Sequence, residues 1–420
     1  MNKVQRIHRS SHPAIHRFVL TALAVIIPLG AATLSARAAD VTSVSGSAAR
    51  PGSTSARVVR AGEDKPAAIE ALVRSYQDRQ TFNGTVLVAE KGAVIFKRGF
   101  GLANREWNIP NMPDTKFRIG SMTKQFTSML VMQLVQEEKI DLQAKLSAYL
   151  PFYRQDTGDQ VTIHHLLTHT SGIPSYTDNM ARMAEVVRDP YPPAEFVAQH
   201  CSGDLEFEPG SRFRYDNSGY YILGAVIEAV TGKPYEQVLR ERILEPLAMK
   251  DTGYDRPVPV LAKRAAGYTV TPGGFENSRY LNMSLPFAAG ALYSTVEDLF
   301  LWDRALAGDR LFQPEMKARL FEPYAPVGDG RSYGYGWMVR ERPLPGSRSK
   351  TLSLSHGGAI FGFTSYLERL PDEGSLVVIL CNTPEADLPI MADGIFAIIH
   401  GGAAEPPKKR RPGPGDVPER

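Results

Sequence analysis

Two pairs of apolar runs, each folded back by a tight turn, frame the ordered part of this 420-residue chain and restrict what it can become. Gly84 to Glu90 and Ala93 to Phe100 flank Lys91-Gly92. Phe363 to Leu370 and Leu376 to Cys381 flank Pro371-Asp372-Glu373-Gly374. Strands joined by turns this short run antiparallel, because a parallel pair needs a crossover of a dozen residues or more. Between the pairs, from about 140 to 330, helix and loop alternate with many Pro and Gly breaks, and strand patterning resumes near Tyr333 to Val339. Ile69, Leu72, Val73 and Tyr76 fall at helical spacing ahead of the first pair, and a helix from about Ala386 to Ile399 follows the second. Another helix, Tyr220 to Val230, stops at Gly232, a residue suited to the left-handed C-cap. The expected fold class is α+β: an antiparallel sheet flanked by helices, with an inserted, mostly helical region.

Charge matters here through its placement. The net +3 arises at the ends: residues 1–38 hold five Lys/Arg and no acids, and residues 405–420 hold five against three. Removing both leaves 38 basic and 42 acidic side chains, a net −4, so the body offers no electrostatic case for nucleic acid. Lys3, Arg6, Arg9 and Arg17, the apolar Phe18 to Leu34 and then Ala36-Arg37-Ala38 have the order of an export signal. Pro28 and Gly30 break the apolar run, so cleavage is expected, with no membrane span afterwards. Residues 39–63, rich in Ser, Ala, Gly and Arg, are expected to be a flexible linker, 64–404 the folded domain and 405–420 a disordered tail. The implied location is exported, periplasmic or secreted. Export permits a disulfide between Cys201 and Cys381, whereas the apolar run ending at Cys381 favours a buried thiol.

Three short patterns carry chemistry. In Ser121-Met122-Thr123-Lys124, at the head of a helical stretch reaching Glu138, residues three apart share a face. The lysine can then take the serine's proton, provided burial lowers its pKa far below about 10.4. In Tyr215-Asp216-Asn217 a phenol can relay a proton and an amide can hold a carbonyl or the lysine. In Ser355-His356-Gly357-Gly358-Ala359, ahead of a strand-forming segment, two glycines let a substrate backbone approach an edge strand. The N–H groups of Ala359 and Ser121 can then face an oxyanion.

Each pattern recurs: Ser347-Arg348-Ser349-Lys350, Tyr280-Leu281-Asn282 and His400-Gly401-Gly402-Ala403. Context separates the copies, since only Ser121 lies between a strand and an amphipathic helix. His400 closes the last helix with no strand expected after it. His164 and His165 have no partners at metal-ligand spacing, and His169 is read as a hydrogen-bonded structural residue.

Together the three patterns resemble those of the penicillin-recognising serine hydrolases, in the branch of class C β-lactamases, D-alanyl-D-alanine carboxypeptidases, D-aminopeptidases and related esterases. The likeness spans roughly 65–400. It includes Phe117 to Lys124, Leu166-Leu167-Thr168-His169-Thr170-Ser171-Gly172, the Pro209 to Tyr220 loop and Tyr333-Gly334-Tyr335-Gly336-Trp337. The resemblance implies a serine acyl-transfer enzyme without metal or cofactor, in which Ser121, Lys124, Tyr215 and Asn217 take the family roles. It implies a small-molecule or peptide substrate, peptidoglycan-derived ones included. The third pattern departs from the Lys-Thr-Gly usual in lactamases of this branch. His356 can still offer a donor or a positive charge near the tyrosine. Gly357 removes a hydroxyl that would grip a substrate carboxylate, which shifts the expectation from efficient β-lactam hydrolysis toward peptidase or esterase activity.

Two other functions compete. Gly330-Arg331-Ser332-Tyr333-Gly334, with Asp372 and His400 downstream, matches a nucleophile elbow, but that elbow needs a strand before it and a helix after it. A catalytically weak or inactive cell-envelope binding protein of the same fold is the other alternative. The retention of Ser121, Lys124 and Tyr215 argues against it.

Overall fold

Val86 and Val88 point to one side of their strand and Leu87 and Ala89 to the other, and all four are buried. Period-two alternation with both faces apolar places a strand in the middle of a layered structure. Val377, Ile379 and Cys381 do the same opposite Leu376, Val378 and Leu380. A computed structural model describes residues 64–405 except 272, 312 and 346, together with the backbone of Val59 and Arg60. The export segment, the tail beyond Glu405 and the rest of the linker lie outside the described residues. Val59–Arg60, within the span read as linker, is a two-residue strand paired with Ala403–Ala404. A strand therefore does follow His400.

Helix α1 (Lys65–Gln77) begins at Asp64, whose carboxylate caps Ala67 N at 3.0 Å. It leads to strands β1 (Gly84–Glu90) and β2 (Ala93–Phe100). The insert contains helices α2 (Thr123–Gln136), α3 (Asn217–Thr231) and α4 (Val296–Ala307) among shorter pieces. Six strands follow: β3 (Ala325–Gly328), β4 (Arg331–Tyr333), β5 (Met338–Pro343), β6 (Lys350–Ile360), β7 (Phe363–Leu370) and β8 (Ser375–Cys381). Helix α5 (Leu388–Ile399) closes the domain.

The eight strands form one antiparallel sheet in the order β3-β4-β5-β6-β7-β8-β1-β2. The two end hairpins are thus joined through β8 and β1, in register from Leu376–Ala89 to Cys381–Gly84. Helices α1 and α5 cover one face with Leu72, Val73, Ile395 and Phe396. The insert covers the other, where Phe126 of α2 stacks on Trp302 of α4 at 4.4 Å between ring centres. The fold is α+β, as the two hairpins imply.

Two local expectations change, and one open alternative closes. Every residue of α2 from Thr123 to Leu134 is buried, so the helix has no solvent face. Its polar groups bond inward: Trp302 Nε1 donates to Gln125 Oε1 at 3.0 Å, and Thr127 Oγ1 donates to Ala288 O at 2.6 Å. Tyr333 to Val339 is not one strand, because Gly334 to Trp337 turns between β4 and β5, closed by Gly334 N donating to Trp337 O at 2.8 Å. Of the two readings of the cysteines, the buried thiol holds, and no disulfide joins Cys201 and Cys381. Both are buried, and the Cys381 thiol donates to Thr383 O at 2.8 Å.

Candidate active site

Ser121 sits in a single 3-10 turn, Gly120–Met122, that runs straight into α2. Gly120 has φ +50°, a region costly for residues with a Cβ. That turn lets β6 pass close by: a Cβ at position 120 would stand 3.0 Å from Ala359 N. One turn on, Lys124 is 0% exposed. Its Nζ lies 3.2 Å from Ser121 Oγ, 2.8 Å from Asn217 Oδ1 and 2.9 Å from Ala289 O.

Burying an ammonium without a paired carboxylate is expensive, and the group responds by giving up its proton. Burial brings the Lys124 pKa down to about 7, against an upward pull from the charge on Asp216. The neutral amine has two N–H donors and one lone pair. Asn217 Oδ1 and Ala289 O can only accept, so they take both hydrogens and leave the lone pair facing the Ser121 hydroxyl. Asn217 is held in that sense because its Nδ2 donates to Thr177 Oγ1 at 3.0 Å, and its backbone N donates to Ser175 Oγ at 3.0 Å.

Tyr215 stands over Lys124, its ring centre 4.9 Å from Nζ, and its hydroxyl hydrogen-bonds the Ser121 side chain. Burial raises the phenol pKa well above its ordinary value of about 10, so it stays protonated. The next residue, Asp216, caps α3 and makes Asn217 its first residue. His169 splints this loop from beneath. It has φ +58°, its carbonyl accepts from Arg214 N at 2.8 Å, and its Nδ1 accepts from Asp216 N at 3.2 Å. Its ring lies 4.3 Å from that of Tyr215.

The third pattern differs from expectation in three ways. It lies within β6 rather than ahead of a strand. His356 is neutral, because burial and the nearby Lys124 charge push its pKa down to about 3. Its Nδ1 donates to Gly357 O at 2.6 Å, leaving Nε2 to accept from the Tyr333 hydroxyl at 3.0 Å. It therefore supplies no positive charge. The two glycines also have different reasons. A Cβ at 358 would sit 2.0 Å from Ile119 O, so Gly358 serves the approach of β6 to the Ser121 turn, whereas one at 357 would meet nothing closer than 3.6 Å.

Strand β5 pairs with β6 only as far as Ser355, so from His356 to Ile360 one edge of β6 is open. Ala359 on that edge lines a cleft of about 160 Å³ together with Ser121, Asn217, Leu281, Leu285 and Phe361. Ser121, Lys124, Tyr215, Asn217 and Ala359 thus converge, as spacing and order predict. Thr177, Ser175 and the Ala289 carbonyl were not anticipated. The first two follow the Thr170-Ser171-Gly172 turn within a few residues, the one local hint available.

The copies lie elsewhere. Ser347 lies in the exposed β5–β6 connection and Lys350 begins β6, with no helix to align them. Ser332 lies on β4, paired within the sheet to Val339 of β5, with no helix after it. Of the Tyr280-Leu281-Asn282 copy, only Leu281 reaches the cleft, as an apolar wall.

Comparison with known proteins gives the same picture. The Beta-lactamase family pattern matches residues 69–398. The putative penicillin-binding protein PbpX of Bacillus subtilis is 28% identical over 308 residues, covering 73% of this chain and 72% of that one. Esterase EstB of Burkholderia gladioli is 27% identical over 348 residues, covering 74% and 88%. Among solved structures, an octameric penicillin-binding protein homologue from Pyrococcus abyssi superposes with TM-score 0.69 at 28% identity, covering 80% of this chain and 77% of that one. A match over so much of the domain, around a Ser–Lys–Tyr cluster of this geometry, shows that the chain belongs to the beta-lactamase family, as a serine hydrolase of that fold.

Proposed function

We propose that the protein is an exported hydrolase of esters or amides that works through an acyl-enzyme on Ser121. The observation carrying this reading is the buried Lys124, with a pKa of about 7 and two fixed acceptors that leave its lone pair to Ser121. Lys124 takes the hydroxyl proton as Ser121 Oγ attacks the acyl carbonyl. The N–H groups of Ser121 and Ala359 receive the developing oxyanion. Tyr215, protonated at rest, gives its proton to the leaving alcohol or amine and regains one from Lys124. Water then attacks the ester on Ser121, delivers its proton to the same pair and frees the serine.

The cleft selects the substrate. Its walls at Leu281, Leu285 and Phe361 are apolar and its volume of about 160 Å³ suits a small acyl group. With neutral His356 and no side chain at 357, β6 offers nothing to hold the carboxylate of a β-lactam. Esters and D-amino-acid amides fit better, in keeping with the esterase among its relatives. Export is inferred from the basic and apolar segments over 1–38.

The test is a screen of the purified protein with p-nitrophenyl esters, D-amino-acid peptides and nitrocefin. Turnover of esters or peptides with slow nitrocefin cleavage is expected. A folded protein that turns over none of them contradicts the proposal and favours the binding role.

A further inference from the structure

The apolar cleft has a neighbour of opposite character. Beyond the wall formed by Leu281 and Phe361, which both cavities share, lies a crevice of about 510 Å³ lined by Arg118, Arg264 and Arg279. No carboxylate lines it among the described residues. Asp255, 1% exposed, lies behind it and takes Arg118 Nε at 2.6 Å on one oxygen and Arg264 at 3.0 Å on the other. One buried carboxylate therefore balances two of the three guanidiniums only in part. Arg279 is exposed and makes no ion pair with any described residue. The three arginines and Asp255 together leave a surplus of two positive charges, since arginine does not deprotonate.

The open edge of β6 connects the two cavities. It begins at His356, passes Ala359 beside Ser121 and ends at Ile360, one residue before Phe361. A substrate laid along that edge with its carbonyl at Ser121 is carried over Phe361 toward the arginines. A planar fork of N–H donors at that point is suited to a carboxylate or phosphate oxygen pair.

We infer that Arg118, Arg264 and Arg279 form an anion subsite, so that the preferred substrate is a small acyl ester or amide carrying a carboxylate or phosphate on the part that lies beyond Phe361. This rests on the hydrolase function proposed above, which supplies the position of the scissile bond. The arginines offer the same chemistry to either anion, and the probes below separate the two.

Binding to the Ser121→Ala protein tests the subsite without requiring chemistry. The probes are the acetyl esters of glycerol 1-phosphate, of glycerate and of glycerol, titrated calorimetrically at low and at high salt. One or both charged esters are expected to bind about tenfold more tightly than the glycerol ester, as a charge-assisted hydrogen bond allows. High salt is expected to erase the difference. The tighter of the two charged esters identifies the anion. Adding Arg279→Gln is expected to reduce the preference several-fold, and Arg279→Glu to abolish it. Arg279 is exposed and forms no ion pair with any described residue, so neither change threatens the fold. Equal binding of all three esters, or a preference that survives Arg279→Glu, overturns the inference. Turnover of the glycerol ester by the wild type is a separate readout: its absence counts against the hydrolase function and leaves the binding result standing.

Discussion

Asn217 holds its amide oxygen 2.8 Å from Nζ of Lys124. The contact looks like an ordinary hydrogen bond, yet in the proposed mechanism it sets the direction of proton flow. An acceptor at that point obliges the lysine to spend a hydrogen there and turns its lone pair toward Ser121.

The pKa of Lys124, near 7, predicts how activity and stability follow pH. kcat/KM is expected to rise through a limb near pH 7 as the amine loses its proton, then level off. In the unfolded chain the same lysine titrates near 10.4. Between about pH 7 and 10 the unfolded state therefore holds a proton that the folded state has released, so unfolding free energy rises with pH across that window. Lys124→Met is expected to lower kcat/KM by about a thousandfold, a typical general-base contribution. It is also expected to flatten that part of the stability profile, measured by urea denaturation at several pH values. An unchanged acid limb in an active Lys124→Met protein contradicts the assignment.

Thr177 is expected to matter although no motif contains it. Its hydroxyl receives Asn217 Nδ2 at 3.0 Å, which keeps the amide oxygen on Lys124. Thr177→Val removes that acceptor and is expected to cost about tenfold in kcat/KM, the equivalent of one hydrogen bond. Thr177→Ser is expected to restore most of it. Equal loss in both variants means the threonine acts through its bulk.

How much of this was legible depends on how local each feature is. The hairpins around Lys91-Gly92 and Pro371 to Gly374 declare themselves because turn chemistry and apolar alternation lie within a dozen residues. Ser121, Lys124, Tyr215 and Asn217 could be read because their spacing is fixed by one helix turn and one cap. Strand β6 could not. Lys350 to Ile360 is rich in Ser and Gly, weak strand formers, and takes its conformation from pairing with β5 and β7. Ala289 and Thr177 were invisible for a related reason. A backbone carbonyl has no sequence signature, and a threonine forty residues from its partner Asn217 reaches it only in the folded state. His356 was misjudged in charge because burial, which sequence cannot measure, decides its protonation.

The adjacent glycines of β6 are expected to respond oppositely to the same methyl group. Gly358→Ala would place a Cβ 2.0 Å from Ile119 O, and that backbone has no flexible end to yield. A loss of about 2 kcal/mol or more is expected, along with impaired reaction at Ser121. Gly357→Ala meets no atom closer than 3.6 Å and is expected to stay within about 1 kcal/mol of wild type. Thermal and denaturant unfolding of the pair check this, and similar losses in both contradict it.

His356 is expected to leave the acid limb where it is. With a pKa of about 3 it is neutral throughout the working range. His356→Gln is therefore expected to lower stability by about 1 kcal/mol through the weakened bond with Tyr333. The pH at half-maximal kcat/KM is expected not to move. A shift of that midpoint assigns the titration to His356 and removes it from Lys124.

The central claim is that Lys124 activates Ser121 and no other serine. Intact-protein mass spectrometry after treatment with a fluorophosphonate or a fluorescent penicillin tests it most directly. One adduct is predicted on the wild type and on the Ser332→Ala and Ser347→Ala proteins, and none on Ser121→Ala. Full labelling of a folded Ser121→Ala protein would contradict the account.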